Sequence, residues 1–193
     1  MRNIYAKSMV MLVIMTFTMG FLSERLNATS FNPQGDEEIV KYCYGAQFNS
    51  DLEHYRDTAT GESRDQQMSE KNAEAKARAN LADQIGTLVK SVIDNYGHSF
   101  MGNNRNELLV RYETLSREAV NQLLKDAVVI CNLQTKTKEG KFKTHYTLEL
   151  ESSAVFSAIS SKLSGDQVVR ADFIYDKFKK IFEEEMSNMY SPQ

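Results

Sequence analysis

Three histidines, His54, His98 and His145, and two cysteines, Cys43 and Cys131, are the side chains of this chain best suited to base, nucleophile or metal chemistry. A histidine base needs a hydroxyl or thiol within reach and an acid to orient it. No serine, cysteine or acid stands in a recognisable motif around any of the three. The histidines lie far apart in sequence without helical ligand spacing, and there is no CxxC, so no metal site is assigned. His145 stands among Lys136, Lys138, Lys141, Lys143 and Glu149, and a solvated strand face accounts for it without catalysis. Asp51, Glu53, Asp57 and Glu62 lack the alternation of a calcium loop. The run Gly97-His98-Ser99-Phe100-Met101-Gly102 follows a predicted helix and has no lysine, whereas a phosphate cradle follows a strand and opens a helix. The sequence therefore assigns no catalytic residue and no cofactor, and the chain is expected not to be an enzyme.

Two pairs remain as candidate partner contacts. Phe100 and Met101 are apolar residues in a polar loop, placed either to plug a gap in the core or to meet a partner. His145 and Tyr146 sit at the middle of a predicted hairpin strand. Cys43 and Cys131 each fall in a segment that reads as a strand. They can pair only if those strands are neighbours on one face, and buried free thiols are the commoner state for such a pair in an ordinary-sized core.

The elements that must position these residues follow from periodicity. Ile39 to Phe48 is rich in β-branched and aromatic residues and reads as a first strand, with Gly45 at a bulge or close approach. Asn49 to Met68 is polar and carries Gly61, and reads as a loop. Ser69 to Tyr96 is the clearest helix, capped by Ser69 and stopped by Gly97, with Ala73, Ala77, Leu81, Ile85 or Gln84, Leu88 and Val92 on its buried side. Ala73 and Ala77 are small, which lets a helix lie close on a sheet. Glu107 to Lys125 is a second helix. Ala127 to Thr137 and Phe142 to Leu150 form a hairpin turning at Lys138-Glu139-Gly140. Phe142, Thr144, Tyr146, Leu148 and Leu150 point one way and Lys143, His145, Thr147 and Glu149 the other, so one face is covered and one is wet. Ser152 to Leu163 is a third helix ended by Gly165. A last amphipathic helix spans 166–189, capped by Asp166, with Val169, Phe173, Ile174, Phe178, Ile181 and Phe182 as its apolar side and a solvated run at Glu183-Glu184-Glu185. The order β-α-α-β-β-α-α predicts an α+β fold: a small antiparallel sheet of about three strands with helices on one face, over 39–164, and the last helix packed on that domain.

The start of the chain carries a different signal. Arg2 and Lys7 precede the uncharged run Met9 to Leu22, and Ser23 to Ala28 is more polar and ends in a small residue. Residues 1–28 are read as a secretory signal peptide, cut after Ala28 or, alternatively, after Gly20. The apolar run spans about 21 Å as a helix, short of the roughly 30 Å hydrocarbon core, so no stable membrane span is expected. Thr29 to Glu38, with Pro33 and Gly35, is a flexible lead-in. The formal charge of -3 grows more negative once Arg2, Lys7, Arg25 and Glu24 are removed, and no basic stripe is present, which argues against nucleic acid as a partner.

The segment Cys43 to Leu163 resembles the LPP-twenty-type lipoprotein family of small bacterial envelope proteins. The resemblance rests on Tyr44-Gly45-Ala46, the alanine-rich stretch Asn72 to Ala82, and the strand-hairpin-helix from Val128 to Leu163. It implies an α+β domain located in the envelope, in the periplasm or at the cell surface and associated with the outer membrane, with no catalytic residues to carry over. The family's lipid-attachment cysteine has no counterpart after the apolar run. The expectation is an exported, non-catalytic module that binds an envelope protein or its own copy. The alternative is a periplasmic protein binding a small molecule or glycan in a pocket walled by residues such as Tyr42, Tyr44, Tyr146 and Phe100. An unrecognised hydrolase would require a histidine beside an acid and a hydroxyl or thiol in space.

Overall fold

A computed structural model describes residues 40–101 and 105–190. The expected signal peptide, residues 1–28, and lead-in, residues 29–38, lie outside the described residues. From residue 41 onward the described residues form one α+β unit with a three-stranded antiparallel sheet and four α-helices. The strands are β1 (His54–Ser63), β2 (Val128–Lys136) and β3 (Phe142–Glu151), in spatial order β1-β3-β2. The helices are α1 (Gln66–Phe100), α2 (Arg105–Leu123), α3 (Ser152–Gly165) and α4 (Tyr175–Tyr190). The predicted order of elements holds, and so does the hairpin β2-β3, which turns at Gly140 with φ 80.

The first strand is not where the apolar composition puts it. Residues 41–48 are not strand: Cys43 has φ 51, Gly45 has φ 128, and Ala46–Phe48 form a single 3-10 turn. The strand is β1, in the stretch that reads as a loop. Its inward positions are Tyr55, Asp57, Ala59 and Gly61, of which only the first and third look like core. The small residues are there because α1 lies against them. A Cβ on Gly61 would stand 2.1 Å from the Ser69 carbonyl oxygen and 2.4 Å from the Ala73 nitrogen. Gly61 is thus a close-approach glycine in a strand, and Ala73 and Ala77, both fully buried, are its counterparts on the helix.

Helix α1 is longer than predicted at both ends. Asp65, not Ser69, caps it, accepting from the Met68 N–H at 2.8 Å. Ser69 is fully buried and its hydroxyl lies 2.6 Å from Thr144 Oγ1 on β3. Gly97 does not stop the helix but sits inside it, where a Cβ would meet Leu109 Cδ2 at 2.7 Å. Leu81, Ile85, Leu88, Val92 and Ile93 run down its buried side, and the inward face of β3 supplies Tyr146, Leu148 and Leu150. Helix α1 packs on β1 and β3, while α2 and α4 pack on α1, and α3 packs on α2.

The last helix is also corrected. Asp166 does cap, accepting from Val168 and Val169 N–H at 2.9 and 3.2 Å, but it caps a turn, and α4 starts only at Tyr175. Tyr96 holds that turn in place: its hydroxyl donates to the Asp172 carbonyl and accepts from the Ile174 N–H, both at 2.7 Å. Ile174, assigned to the apolar side, is consequently exposed. Around Tyr96 the rings of Phe100, Tyr112 and Phe178 lie 5.3, 5.8 and 5.5 Å away, centroid to centroid. Within the glutamate run, Glu185 is not solvated: Ser91 and Asn95 both donate to it at 2.7 Å, fastening α4 to α1.

Candidate interaction surface

The residues expected to contact a partner fall in different places. Met101 packs half-buried against the core, so the plug reading fits it. Phe100 ends α1 with 38% of its surface exposed and the Lys177 ammonium 5.9 Å from its ring centroid. His145 and Tyr146 are neighbours on β3 and so face opposite ways. Tyr146 is buried, which corrects its assignment as a contact residue. His145 lies on the opposite side of the sheet under the Tyr42 ring, 5.0 Å between centroids. Burial, and then the Lys143 ammonium, lower its pKa below the ordinary histidine value.

No histidine stands in a nucleophilic constellation among the described residues. His54 Nδ1 lies 3.6 Å from Asp51 Oδ1. The hydroxyl near them, Ser50, donates to the Arg56 carbonyl at 2.9 Å and accepts from the Arg56 and Gln84 N–H groups. Arg56 is the centre of that corner, with its guanidinium 2.6 Å from Asp51 and 2.5 Å from Glu149. Burial works against the Asp51 charge, but Arg56 and the Glu53 and His54 N–H groups outweigh it and hold its pKa at about 2. The arrangement rivets β1 to β3 and offers no free base. Among the described residues no group of three or more His, Cys, Asp or Glu could hold a metal ion.

The side of the sheet away from α1 is not the uniformly wet face that alternation predicts. Cys43 and Cys131 are bonded to each other, with Cα atoms 5.9 Å apart. Cys131 reaches that side because of a β-bulge. Val129 opposes Leu148, but after a one-residue shift Cys131 opposes Thr147, so Ile130 is the extra residue that turns the cysteine outward. The bond draws residues 41–48 across β3 as a strap. Beneath it Thr147 is fully buried and its hydroxyl lies 2.7 Å from that of Thr58. No sequence motif marks this pairing; the bulge and the left-handed Cys43 backbone that make it possible both escape a strict period of two.

Exposed apolar side chains lie on the same side as the bond. Tyr42 and Tyr44 flank Cys43, and Val128 and Leu133 on β2 oppose Glu149 and His145, while exposed Val129 opposes Leu148 on the other side. β2 pairs with β3 alone, so its outer edge is open among the described residues. Among the described residues, grooves of about 520 to 560 Å³ lie between α2 and α3, between α1 and α2, and between α3 and α4. The one between α3 and α4 has Phe156, Tyr175 and Phe182 beside Ser152, Ser153 and Ser157. Tyr42, Tyr44, Tyr146 and Phe100, expected to wall a common pocket, line none of them. No family model matches the chain, and no curated protein and no solved structure does either. Among the described residues no helix is long and apolar enough to cross a membrane.

Proposed function

We propose that this protein is an exported, non-catalytic module of the bacterial cell envelope that binds a protein partner or a second copy of itself. The observation that carries the reading is the set Tyr42, Tyr44, Val128 and Leu133, exposed on the strap side of the sheet beside an open strand edge. Isolated apolar residues on a surface need no explanation, but several on one side of an unpaired strand edge are the composition that strand addition and protein contacts use. The export reading rests on the opening basic and apolar segments, and the disulfide accords with an oxidising compartment. The resemblance to LPP-twenty-type envelope proteins supports the same location. The acidic balance gives nucleic acid no electrostatic hold.

Native mass measurement and capture from envelope fractions test the reading. A defined complex, or a dimer, is expected for the natural protein and is lost in Leu133→Glu and Val128→Glu. Val110→Glu, at an exposed position on α2, leaves it intact. A strict monomer that retains no partner would overturn the proposal.

The groove between α3 and α4 favours a second reading, a small molecule or glycan held by aromatic walls and serine hydroxyls. Tyr175→Ala would then abolish ligand-induced thermal stabilisation and leave capture of a protein partner unchanged.

A further inference from the structure

We propose that the Cys43–Cys131 disulfide is a reducible clasp: a dithiol donor opens it, frees the strap and uncovers His145 and Thr147 while the helical side of the domain stays folded. The inference concerns the strap alone and does not depend on what the protein binds.

The strap is held almost entirely by the bond. From residue 41 to 48 no side chain is fully buried, and the turn Ala46–Phe48 contributes none to the core. Its described non-covalent ties to the sheet are few. Thr58 Oγ1 donates to the Cys43 carbonyl at a long 3.5 Å, and the Tyr42 ring rests on His145. Its anchorage resumes at Asn49 to Asp51, where Arg56 donates to the Asn49 carbonyl at 2.8 Å and to the Asp51 carboxylate. Residues 41–48 can swing about this fixed corner once the bond is open. Cys43 is also held at φ 51, a left-handed conformation that side-chain-bearing residues seldom keep without a constraint. The buried side chains of α1, by contrast, pack on the other side of the sheet, where they touch neither cysteine.

Both cysteines are half-buried, so an attacking thiolate can reach the sulfurs without unfolding the sheet. The thiolate of the donor attacks one Sγ and the Sγ–Sγ bond breaks, which leaves a mixed disulfide and one free cysteine thiolate. The second donor thiolate then attacks the donor sulfur of that mixed disulfide and releases the other cysteine. Two electrons and two protons pass to the protein as two thiols, and the donor leaves as its own disulfide. Reoxidation by a disulfide donor runs the same steps backwards.

The test treats the intact protein with dithiothreitol in native buffer. It then follows diethyl pyrocarbonate labelling of each histidine and amide exchange by mass spectrometry. Opening of the clasp is expected to raise His145 labelling several-fold and to accelerate exchange across residues 41–48. His98, already exposed, keeps its rate, and α1 keeps its protection. The variant Cys43→Ser/Cys131→Ser should show the opened pattern with no reductant present. A bond that yields only in denaturant, an unchanged His145 rate after reduction, or loss of protection in α1 would each overturn the proposal.

Discussion

Gly61 on β1 and Ser69 on α1 touch backbone to backbone: a Cβ at residue 61 would lie 2.1 Å from the Ser69 carbonyl oxygen. Neither backbone can give way as a flexible side chain could, so Gly61→Ala forces the first turns of α1 off the sheet. The expected loss is about 2–3 kcal/mol, the upper part of the range for overpacked sites. Gly86 is the control. It lies within α1 with nothing inside 4 Å of an added Cβ, and Gly86→Ala should stabilise by about 0.5–1 kcal/mol through helix propensity. Chemical denaturation of both variants checks the pair. Equal effects of the same sign would mean that α1 does not lie on β1 as described.

Tyr96 joins α1 to the turn ahead of α4 through two hydrogen bonds made by one hydroxyl. In Tyr96→Phe the ring and its aromatic neighbours stay, but the Asp172 carbonyl and Ile174 N–H lose their partner. A cost of about 1–3 kcal/mol follows if those groups are not rehydrated. Amide exchange at Ile174 should rise more than exchange in the centre of α1. Uniform acceleration through the whole chain would contradict this local role.

The sequence made most of the helices, the hairpin and the order of elements legible, because their apolar residues recur at the spacing of a buried stripe. Met186 is buried beyond the stripe predicted for the last helix for a different reason: with Phe156 it fills space between helices whose mutual placement no single periodicity records. The swap between residues 39–48 and β1 is more instructive. Hydrophobicity marks burial, but β1 sits where α1 approaches too closely for large side chains, so Ala59 and Gly61 replace them and Asp57 turns inward to accept from Asn80 at 2.9 Å. Tyr42 and Tyr44 lie instead on the strap, exposed. The contact surface was legible only in part. His145 fell on the outer face as alternation requires, while Cys131 was turned there by the bulge at Ile130, which a regular period places on the wrong side.

Asp51 gives acid sensitivity a definite sign. Its carboxyl is held at about 2 in the folded protein against an ordinary value of 3.8, so the folded state binds its proton less readily than the unfolded chain. The stability it contributes is fully present above about pH 4 and is lost as pH falls from there through about 2. Half of the Asp51 side chain is exposed, and solvent screening keeps the effect modest. Urea midpoints measured across this range should fall less steeply for Asp51→Asn than for the natural protein. Parallel curves would show that Arg56 does not hold the Asp51 charge in solution.

His145 reports on the strap through its own titration. Under the Tyr42 ring, burial and then Lys143 hold its pKa below 6.5, so charging it is harder in the folded protein than in the unfolded chain. The corresponding stability is present above about pH 6.5 and is lost as pH falls through that value toward the lower folded one. Its imidazole resonances, followed by NMR, should titrate below the ordinary histidine value in the oxidised protein. They should move upward in Cys43→Ser or Tyr42→Ala. An unmoved midpoint in both variants would assign the shift to the sheet itself and not to the strap.

The bond should also matter for stability, and in a way that separates it from the core. It closes a loop with a sequence separation of 88, and the restriction that a cross-link of that length places on the unfolded chain stabilises by up to about 4–5 kcal/mol. The strap itself buries little, so the native packing on the α1 side should be untouched. Cys43→Ser is therefore expected to lower the unfolding midpoint and leave the near-ultraviolet circular dichroism of the Tyr96, Tyr112 and Phe178 cluster unchanged. The two readouts pull apart only if the cross-link acts on the unfolded chain. A variant whose aromatic signal collapses in step with its midpoint would show that the cysteines organise the core.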